Sequence, residues 1–437
     1  MKAKHSQAEL KAELIKEFEV EVDQLLASCE SSGPLTMTQI EDLVLAARQR
    51  VGQKLAEHVL ALREQSSHTA GAPVSAETGQ PLRAKGKKVM VTTRLGVVTY
   101  ERMYYYDPAG RSGCYPFDRQ LGLTCGLSEG VMRLVVKLSA YLPYRQACEV
   151  YGELAQVSVS LGEATQEAGQ RSRSALQPLA TMKASLESAA CAGISMDGFM
   201  VHVEGEGWKE VKIGAVFEAG TDKEEPTGGA GDNVRARSQS YVMHLGGPEG
   251  FGFKLAVEAQ ARRWGQAEQS AVLGDGAAWI WNLANRDYPS AAHVVDWYHA
   301  RQHLWAAGDL LYPGQSERAA AWVNEQANLL YQGRADELAR SLTQYANALP
   351  PDRQTALVAE AGYFATNHER MQYRDFRRAR LPIGSGVVES GAKQAKQRLS
   401  AAGMRWSRPG LENMLPLRAA LMSGTFDLLW PRIRPRV

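Results

Sequence analysis

The chain has 437 residues, a length that predicts about two to four domains. Hydrophobic residues make up 44% and charged residues 22%, and the formal net charge is +2; these values argue against a fibrous or disordered chain and, taken alone, give little support to a nucleic-acid partner. No apolar run approaches the ~18 residues of a membrane span, and the five scattered cysteines form no CxxC pair, which disfavours a disulfide framework or zinc finger and fits a reducing cytosol.

Residues 1–72 are predicted to form a helical region. Apolar side chains recur at helical spacing over residues 10–25 and, after a Gly-Pro turn, over residues 40–59. Thr38 stands three residues before Glu41, which is a capping-box pattern. The polar, helical start of the chain differs from a secretory signal peptide. We interpret the region as a helical hairpin or an oligomerisation surface rather than as a catalytic part.

Residues 83–175 are predicted to form a small β and helical region that binds DNA. Two runs rich in Val, Thr and Tyr between residues 87 and 106 indicate a β-hairpin. The turn-rich segment that ends at Cys114 has the character of a metal knuckle but a single thiol, which argues against zinc. Helices at 144–152 and 161–171 with a short break between them suggest a helix-turn-helix, although any helical hairpin gives the same pattern.

The pattern of an α/β fold begins near residue 189. We predict the first part of a catalytic core over 189–298, an all-α insertion over 299–380, and the last core helix with a basic segment over 381–425. Short apolar runs predict the strands of this core at 191–196, 211–217, 241–245, 271–274 and 291–296.

Three acidic residues of this region are candidates for a metal site. Asp197 and Asp275 each follow an apolar strand and stand beside glycine, and Glu389 opens the last helix. Function gathers at strand ends in α/β sheets, and three converging carboxylates favour Mg²⁺ or Mn²⁺ over zinc. The alternative is that each Asp-Gly pair is an ordinary turn.

The segment around Glu389 is strongly basic. Ten basic and two acidic residues lie between Arg370 and Arg408, a net charge of +8 over 39 residues, so the rest of the chain sums to −6. Lys393 and Lys396 fall on the helix face of Glu389. Such side chains can hold DNA phosphates without reading sequence; the alternative is a solvated charged helix.

A second cluster contains Asp296, His299 and His303. Its spacing could bring Asp296 or His299 to the metal site as accessory residues. Zinc bound by the two histidines lacks an evident third ligand, and a structural hydrogen-bonding histidine is the competing interpretation.

Five runs of this region stand out together: ISMDG (194–198), WKEVKIGAVF (208–217), GDGAAWIWNLA (274–284), VVDWYHARQHLW (294–305) and GSGVVESGAKQAKQRLSAAGMRW (384–406). Through these runs the sequence resembles bacterial insertion-sequence DDE transposases of the ISKra type, over roughly residues 83–430. Asp296 and His299 match an Asp-x-x-His signature that Mutator-like transposases share.

The resemblance implies an α/β ribonuclease-H-like, retroviral-integrase-like core interrupted by an all-α insertion. It implies that Asp197, Asp275 and Glu389 are catalytic and hold two Mg²⁺ or Mn²⁺ ions for cleavage and strand transfer at the ends of an insertion sequence. The expected partner is double-stranded DNA, namely the terminal inverted repeats and target DNA, bound by a homodimer or higher assembly in the bacterial cytoplasm at the nucleoid. No membrane is expected among the partners. The residues expected to position phosphates are Lys393, Lys396, Arg398 and Arg405.

Two other functions remain open at this point. The first is a ribonuclease-H-like nuclease that hydrolyses DNA without strand transfer. The second is an inactive, transposase-derived DNA-binding regulator, against which the presence of all three acidic residues argues.

Overall fold

The computed structural model divides the chain into two compact units, residues 1–168 with 434–437 and residues 169–433. No helix in the described part of the chain is both long enough and apolar enough to cross a membrane. The structure describes residues 7–31, 33–67, 73–75, 79–108, 113–123, 126–159, 162–174, 183–221 and 234–434.

The first unit contains a long helical hairpin, a small sheet and shorter helices, as the sequence patterns predict. The sheet has the order β1-β2-β3, and β1 and β2 form the predicted antiparallel hairpin. The elements are α1 (Gln7–Ser31), α2 (Met37–Ser67), β1 (Arg83–Thr93), β2 (Gly96–Tyr106), β3 (Gly113–Cys114), α3 (Pro116–Gln120), α4 (Glu129–Tyr141), α5 (Tyr144–Ala155) and α6 (Gly162–Ser174), whose last residues enter the second unit.

The capping box of α2 lies two residues before the predicted one. The Thr36 N–H donates to Gln39 Oε1 at 2.9 Å, and the Gln39 N–H donates to Thr36 Oγ1 at 3.4 Å. The prediction of a capping box at Thr38 and Glu41 was wrong, because Thr36 and Gln39 fit the same four-residue pattern and are the pair that forms the hydrogen bonds. The apolar stripe of α2 stays accessible, since Val44 and Val59 are 49% and 55% exposed.

The second unit is built on a five-stranded sheet. Its elements are β4 (Cys191–Val203), β5 (Gly207–Thr221), β6 (Val234–Leu245), α7 (Pro248–Ala261), β7 (Gln269–Gly274), α8 (Ala278–Asp287), β8 (Ala292–Val295), α9 (Trp297–Leu311), α10 (Ser316–Tyr331), α11 (Ala335–Ala346), α12 (Pro351–Asn367), α13 (Tyr373–Arg378), α14 (Gly386–Leu399), α15 (Arg408–Met422) and α16 (Phe426–Ile433).

The strand order is β6-β5-β4-β7-β8. Strands β4, β5 and β6 form an antiparallel meander, and β7 and β8 run parallel to β4. A parallel neighbour requires a crossover connection, and α7 and α8 lie in the two connections that lead to β7 and β8. The predicted strands are thus all present in one mixed sheet.

Helices cover both faces of this sheet. The glycine Gly214 on β5 lies against Leu255 and Phe251 of α7, so a side chain there would collide with them. The next residue pairs with Tyr241 of β6, whose ring contacts Gly391 of α14. Because successive strand residues point to opposite faces, α7 and α14 lie on opposite sides of the sheet.

Three features differ from the predictions. Strand β4 does not end at Asp197 but continues to Val203, because β5 pairs with it along its whole length. The segment between β5 and β6 is shorter than the gap between the predicted strands 211–217 and 241–245, since β5 reaches Thr221 and β6 begins at Val234. Residues 222–233 lie outside the described residues. Helices α15 and α16 follow the last predicted helix.

Candidate functional site

Three acidic residues lie at one level of three neighbouring parallel strands. Ser195 pairs with Leu273, so Asp197 and Asp275 stand opposite each other two residues further on. Gly274 of β7 pairs with the last residue of β8, which brings Asp296 to the same level. Neighbouring strands lie about 4.8 Å apart. The site therefore forms where β7 and β8 end while β4 continues.

Asp197 lies in a repulsive, partly buried environment. Burial raises the pKa of its carboxyl above the usual range, and the negative charges of Asp275 and Glu389 raise it further. The Gly198 N–H, which donates to Asp197 Oδ1 at 2.6 Å, and the Lys396 ammonium act in the opposite direction. The three predicted catalytic carboxylates are thus brought close enough to interact electrostatically.

Asp275 begins the loop that leads into α8. Its Oδ1 accepts a hydrogen bond from the Ala277 N–H at 2.9 Å, and its carbonyl accepts one from the Tyr363 hydroxyl at 3.0 Å. Gly276 between them has a φ of +108°, and a side chain there would collide with the Tyr363 ring. This glycine allows the chain to turn where β7 ends.

Glu389 lies in the first turn of α14, the helix that packs across β4 and β5. Its side chain is 41% exposed and forms an ion pair of 3.9 Å with Lys393, one turn further along. The first turn of a helix favours a negative charge because of the helix dipole. Glu389 is partly exposed, and so are Asp197 and Asp275.

The predicted phosphate-binding residues have different surroundings. Lys393, Lys396 and Arg405 are exposed, and Lys396 is near enough to influence Asp197. Arg398 is only 2% exposed, and its guanidinium lies 4.9 Å from the centre of the Trp406 ring. In this conformation Arg398 is a packing residue of α14 instead of a surface contact for phosphate.

Asp296 joins the end of β8 to the start of α14. Its carboxylate is 1% exposed and caps α9 by accepting the His299 N–H at 2.6 Å. The other oxygen accepts the N–H of Ser385, the residue before α14. The two hydrogen bonds of the Asp296 carboxylate therefore fix the starts of α9 and α14. The spacing in the sequence could not distinguish this structural role from metal binding.

His299 belongs to a cluster that the helical block supplies. Its ring lies 5.1 Å from the ring of His303, which stacks on Tyr363 at 3.6 Å and contacts Glu360 at 2.7 Å. Sequence reasoning missed Tyr363 and Glu360 because α12 has no motif that marks them. Through the hydroxyl of Tyr363, this cluster also supports the loop of Asp275.

The donor atoms at this level suit a hard divalent cation. Asp197, Asp275 and Glu389 offer only carboxylate oxygens, and a bound cation would relieve the repulsion that Asp275 and Glu389 exert on Asp197. Within the described residues, no group of three or more His, Cys, Asp or Glu side chains is placed so that it could hold a metal ion as it stands. The residues fit Mg²⁺ or Mn²⁺ by their chemistry and charge.

The raised pKa of Asp197 has a measurable consequence for the stability of the protein. A raised carboxyl pKa means that the folded state favours the neutral form of Asp197. The contribution of this group to the free energy of unfolding is therefore complete below its pKa in the unfolded chain, ~3.9, and is lost as the pH rises through its pKa in the folded protein. We expect Asp197→Asn to raise the melting temperature of metal-free protein by a few degrees at neutral pH. The gain should vanish near pH 4.

Thermal unfolding in a chelator across this pH range measures the effect. The control is Asp309→Asn, because Asp309 is exposed on α9 and should leave the melting temperature unchanged at every pH. A lower melting temperature for Asp197→Asn at neutral pH would contradict the electrostatic description of the site.

Comparison with known proteins gives one family. The model of the uncharacterised protein family UPF0236 matches residues 77–428, a span that includes the five-stranded sheet and all the acidic residues of the site. No curated protein matches the chain. Since the match covers most of its length, the chain belongs to the uncharacterised protein family UPF0236.

Proposed function

We propose that this protein is a DDE transposase that cleaves and joins DNA at the ends of an insertion sequence. The observation that carries the proposal is that Asp275 and Glu389, which are far apart from Asp197 in sequence, both act electrostatically on the Asp197 carboxylate. Exposed cationic side chains on α14 and after it provide a surface for phosphates.

The core is proposed to be ribonuclease-H-like. Its support is the mixed sheet in which two parallel strands extend an antiparallel meander on the side of β4, with Asp197 on β4 and Asp275 directly after β7. A block of helices, α9 to α13, separates the last strand from α14, which agrees with the all-α insertion that the family resemblance implies.

Asp197, Asp275 and Glu389 would hold the metal ions. Two such ions, when bound, would lower the pKa of a water molecule and neutralise the charge on the leaving oxygen of a phosphodiester. Asp275 and Glu389 are held by a turn and by a helix, so their positions are set before DNA binds. Lys393, Lys396 and Arg405 would orient the DNA backbone.

The proposed chemistry consists of two in-line phosphoryl transfers. In the first, a water oxygen bonds to the phosphorus, the bond to the 3′ oxygen breaks, and the strand leaves as a 3′-hydroxyl. In the second, this hydroxyl bonds to a target phosphorus and releases a target 3′-hydroxyl, so that the number of phosphodiester bonds is unchanged. Neither transfer forms a covalent bond to the protein.

The proposed partners are terminal inverted repeats and target DNA. Holding two ends together requires at least a dimer, and the apolar stripe of the helical hairpin is a candidate contact between copies. A bacterial cytoplasmic location at the nucleoid belongs to the same proposal.

A joining assay tests the proposal. Labelled DNA from the borders of the gene is incubated with the protein, Mg²⁺ and a plasmid target. The proposal predicts cleaved ends and label covalently joined to the plasmid. Cleavage without joining would instead identify a ribonuclease-H-like nuclease, and metal-independent binding without cleavage would identify a DNA-binding regulator.

A further inference from the structure

A groove in the second unit is lined by arginines and aromatic rings. It lies between the start of α9, helix α13 and the start of α14, and has a volume of about 900 Å³. We call it the arginine groove and define it by six of its lining residues: Trp297, Tyr298, Arg374, Arg378, Arg380 and Val387.

The arginines of the groove are available to an anionic ligand. Arg374, Arg378 and Arg380 are exposed, and Arg378 has a 3.6 Å contact with the equally exposed Asp375. Within the described chain, Arg374 and Arg380 form no ion pair with an acidic side chain. Exposed ion pairs contribute little to stability. An anionic ligand would therefore lose little free energy by separating Arg378 from Asp375, and the groove offers it three cations.

The aromatic rings add a second kind of contact. Tyr298 is 61% exposed, and the Trp297 ring is held edge-on by Tyr331 and Tyr373 at 6.0 and 4.9 Å. Cations that follow a phosphate backbone, together with rings on which bases stack, are the combination that binds an unpaired strand. In a duplex the bases are not free to stack in this way.

Arg380 occupies a backbone position that suits glycine. Its φ is +59°, and the Leu381 N–H donates to the Phe376 carbonyl at 2.9 Å across it, which is the hydrogen bond of a Schellman helix end. Only glycine adopts this conformation without a steric penalty. An arginine here is unfavourable for the backbone and places a cation in the groove.

The groove borders the chain segments on either side of Asp296 and Ser385. The Trp297 N–H donates to the Ile383 carbonyl at 2.8 Å, and Asp296 holds the next part of this segment through Ser385. Trp297 and Gly384 line the groove and stand next to Asp296 and Ser385 in the chain. The groove therefore borders the segment in which Asp296 lies level with Asp275.

We propose that the arginine groove binds an unpaired segment of DNA next to the phosphate that reacts. The inference rests on the proposed transposase function and adds to it that the substrate is locally single-stranded at the site. Arg374, Arg378 and Arg380 hold the backbone of this segment, and Tyr298 stacks on one of its bases.

Binding of oligothymidine of about 12 nucleotides, a length that such sites cover, tests the proposal. Fluorescence anisotropy is measured with the full chain in a chelator over a range of salt concentrations. Arg380→Gly should retain or raise the melting temperature and reduce the salt slope by about 0.7. Tyr298→Leu should weaken binding by roughly 5- to 100-fold.

Matched controls lie outside the groove. Arg263 is also in the left-handed region, with a φ of +54°, so Arg263→Gly makes the same change of charge and backbone freedom elsewhere. Tyr345 is 46% exposed on α11, and Tyr345→Leu removes an exposed ring. Both controls should bind as the wild type does.

The proposal is overturned if Arg380→Gly and Tyr298→Leu bind the oligonucleotide as the wild type does, if the controls weaken it equally, or if only duplex DNA is bound. Asp275→Asn separates this result from the proposed function, because it should keep full strand binding in the chelator. If it also processes DNA normally with Mg²⁺, Asp275 does not belong to the active site while the groove stands. If the wild type binds the oligonucleotide but neither cleaves nor joins terminal DNA with Mg²⁺, the proposed function is wrong while the groove stands.

Discussion

Asp275→Asn is expected to reduce metal-dependent DNA cleavage by roughly a thousandfold or more. The substitution keeps the hydrogen bond from the Ala277 N–H but removes a negative charge at the level of Asp197. Metal-ion catalysis supplies several kcal/mol of transition-state stabilisation, and each 1.36 kcal/mol is a factor of ten in rate. Single-turnover cleavage of labelled terminal DNA measures the loss.

The same change at Asp309 is the control, because this residue lies on the surface of α9. Asp309→Asn should cleave at the wild-type rate, and the melting temperature of Asp275→Asn should stay close to that of the wild type. Normal cleavage by Asp275→Asn would remove Asp275 from the site and with it the proposed arrangement.

Asp296→Ala is expected to lower the free energy of unfolding by about 2–4 kcal/mol. It leaves the partly buried N–H of His299 and the buried N–H of Ser385 without their acceptor, and it removes the cap of α9. For a unit of this size the melting temperature should fall by roughly 5–15 °C. Thermal unfolding of the metal-free protein measures the change.

The loss of these two hydrogen bonds should also reduce DNA cleavage at temperatures where the variant is folded, since Ser385 precedes the helix that carries Glu389. Asp309→Ala, in the same helix but exposed, should change the melting temperature by less than about 1 °C. An Asp296→Ala protein as stable as the wild type would show that the two hydrogen bonds contribute nothing.

Much of the second unit could be predicted from local pattern. The apolar runs before Asp197, Asp275 and Asp296 are strands of one sheet, and Glu389 does open a helix. What the sequence could not provide is the register that places the three aspartates at one level, because pairing depends on contacts between distant segments. The Asp-Gly pair at 197–198 illustrates this, since it suggests a turn, yet β5 extends the strand through it.

Other parts of the site leave no local signal. Tyr363 and Glu360 lie in a helical block where charged and aromatic residues are common, and only the packing of α12 against α9 brings them to His303. Arg398 shows the reverse case, because its position in a basic run suggests a surface contact whereas the Trp406 ring covers it. The arginine groove likewise exists only after three helices meet.

Titration of Mn²⁺ into the metal-free protein bound to terminal DNA tests the central claim most directly. Electron paramagnetic resonance counts the bound ions in the wild type, in Asp197→Asn and in the surface control Asp309→Asn. We expect two ions per chain in the wild type and the control, and at least roughly tenfold weaker binding in Asp197→Asn, because affinity for such ions follows the number of charged ligands. Equal binding of Mn²⁺ by all three proteins would contradict a metal site at these carboxylates.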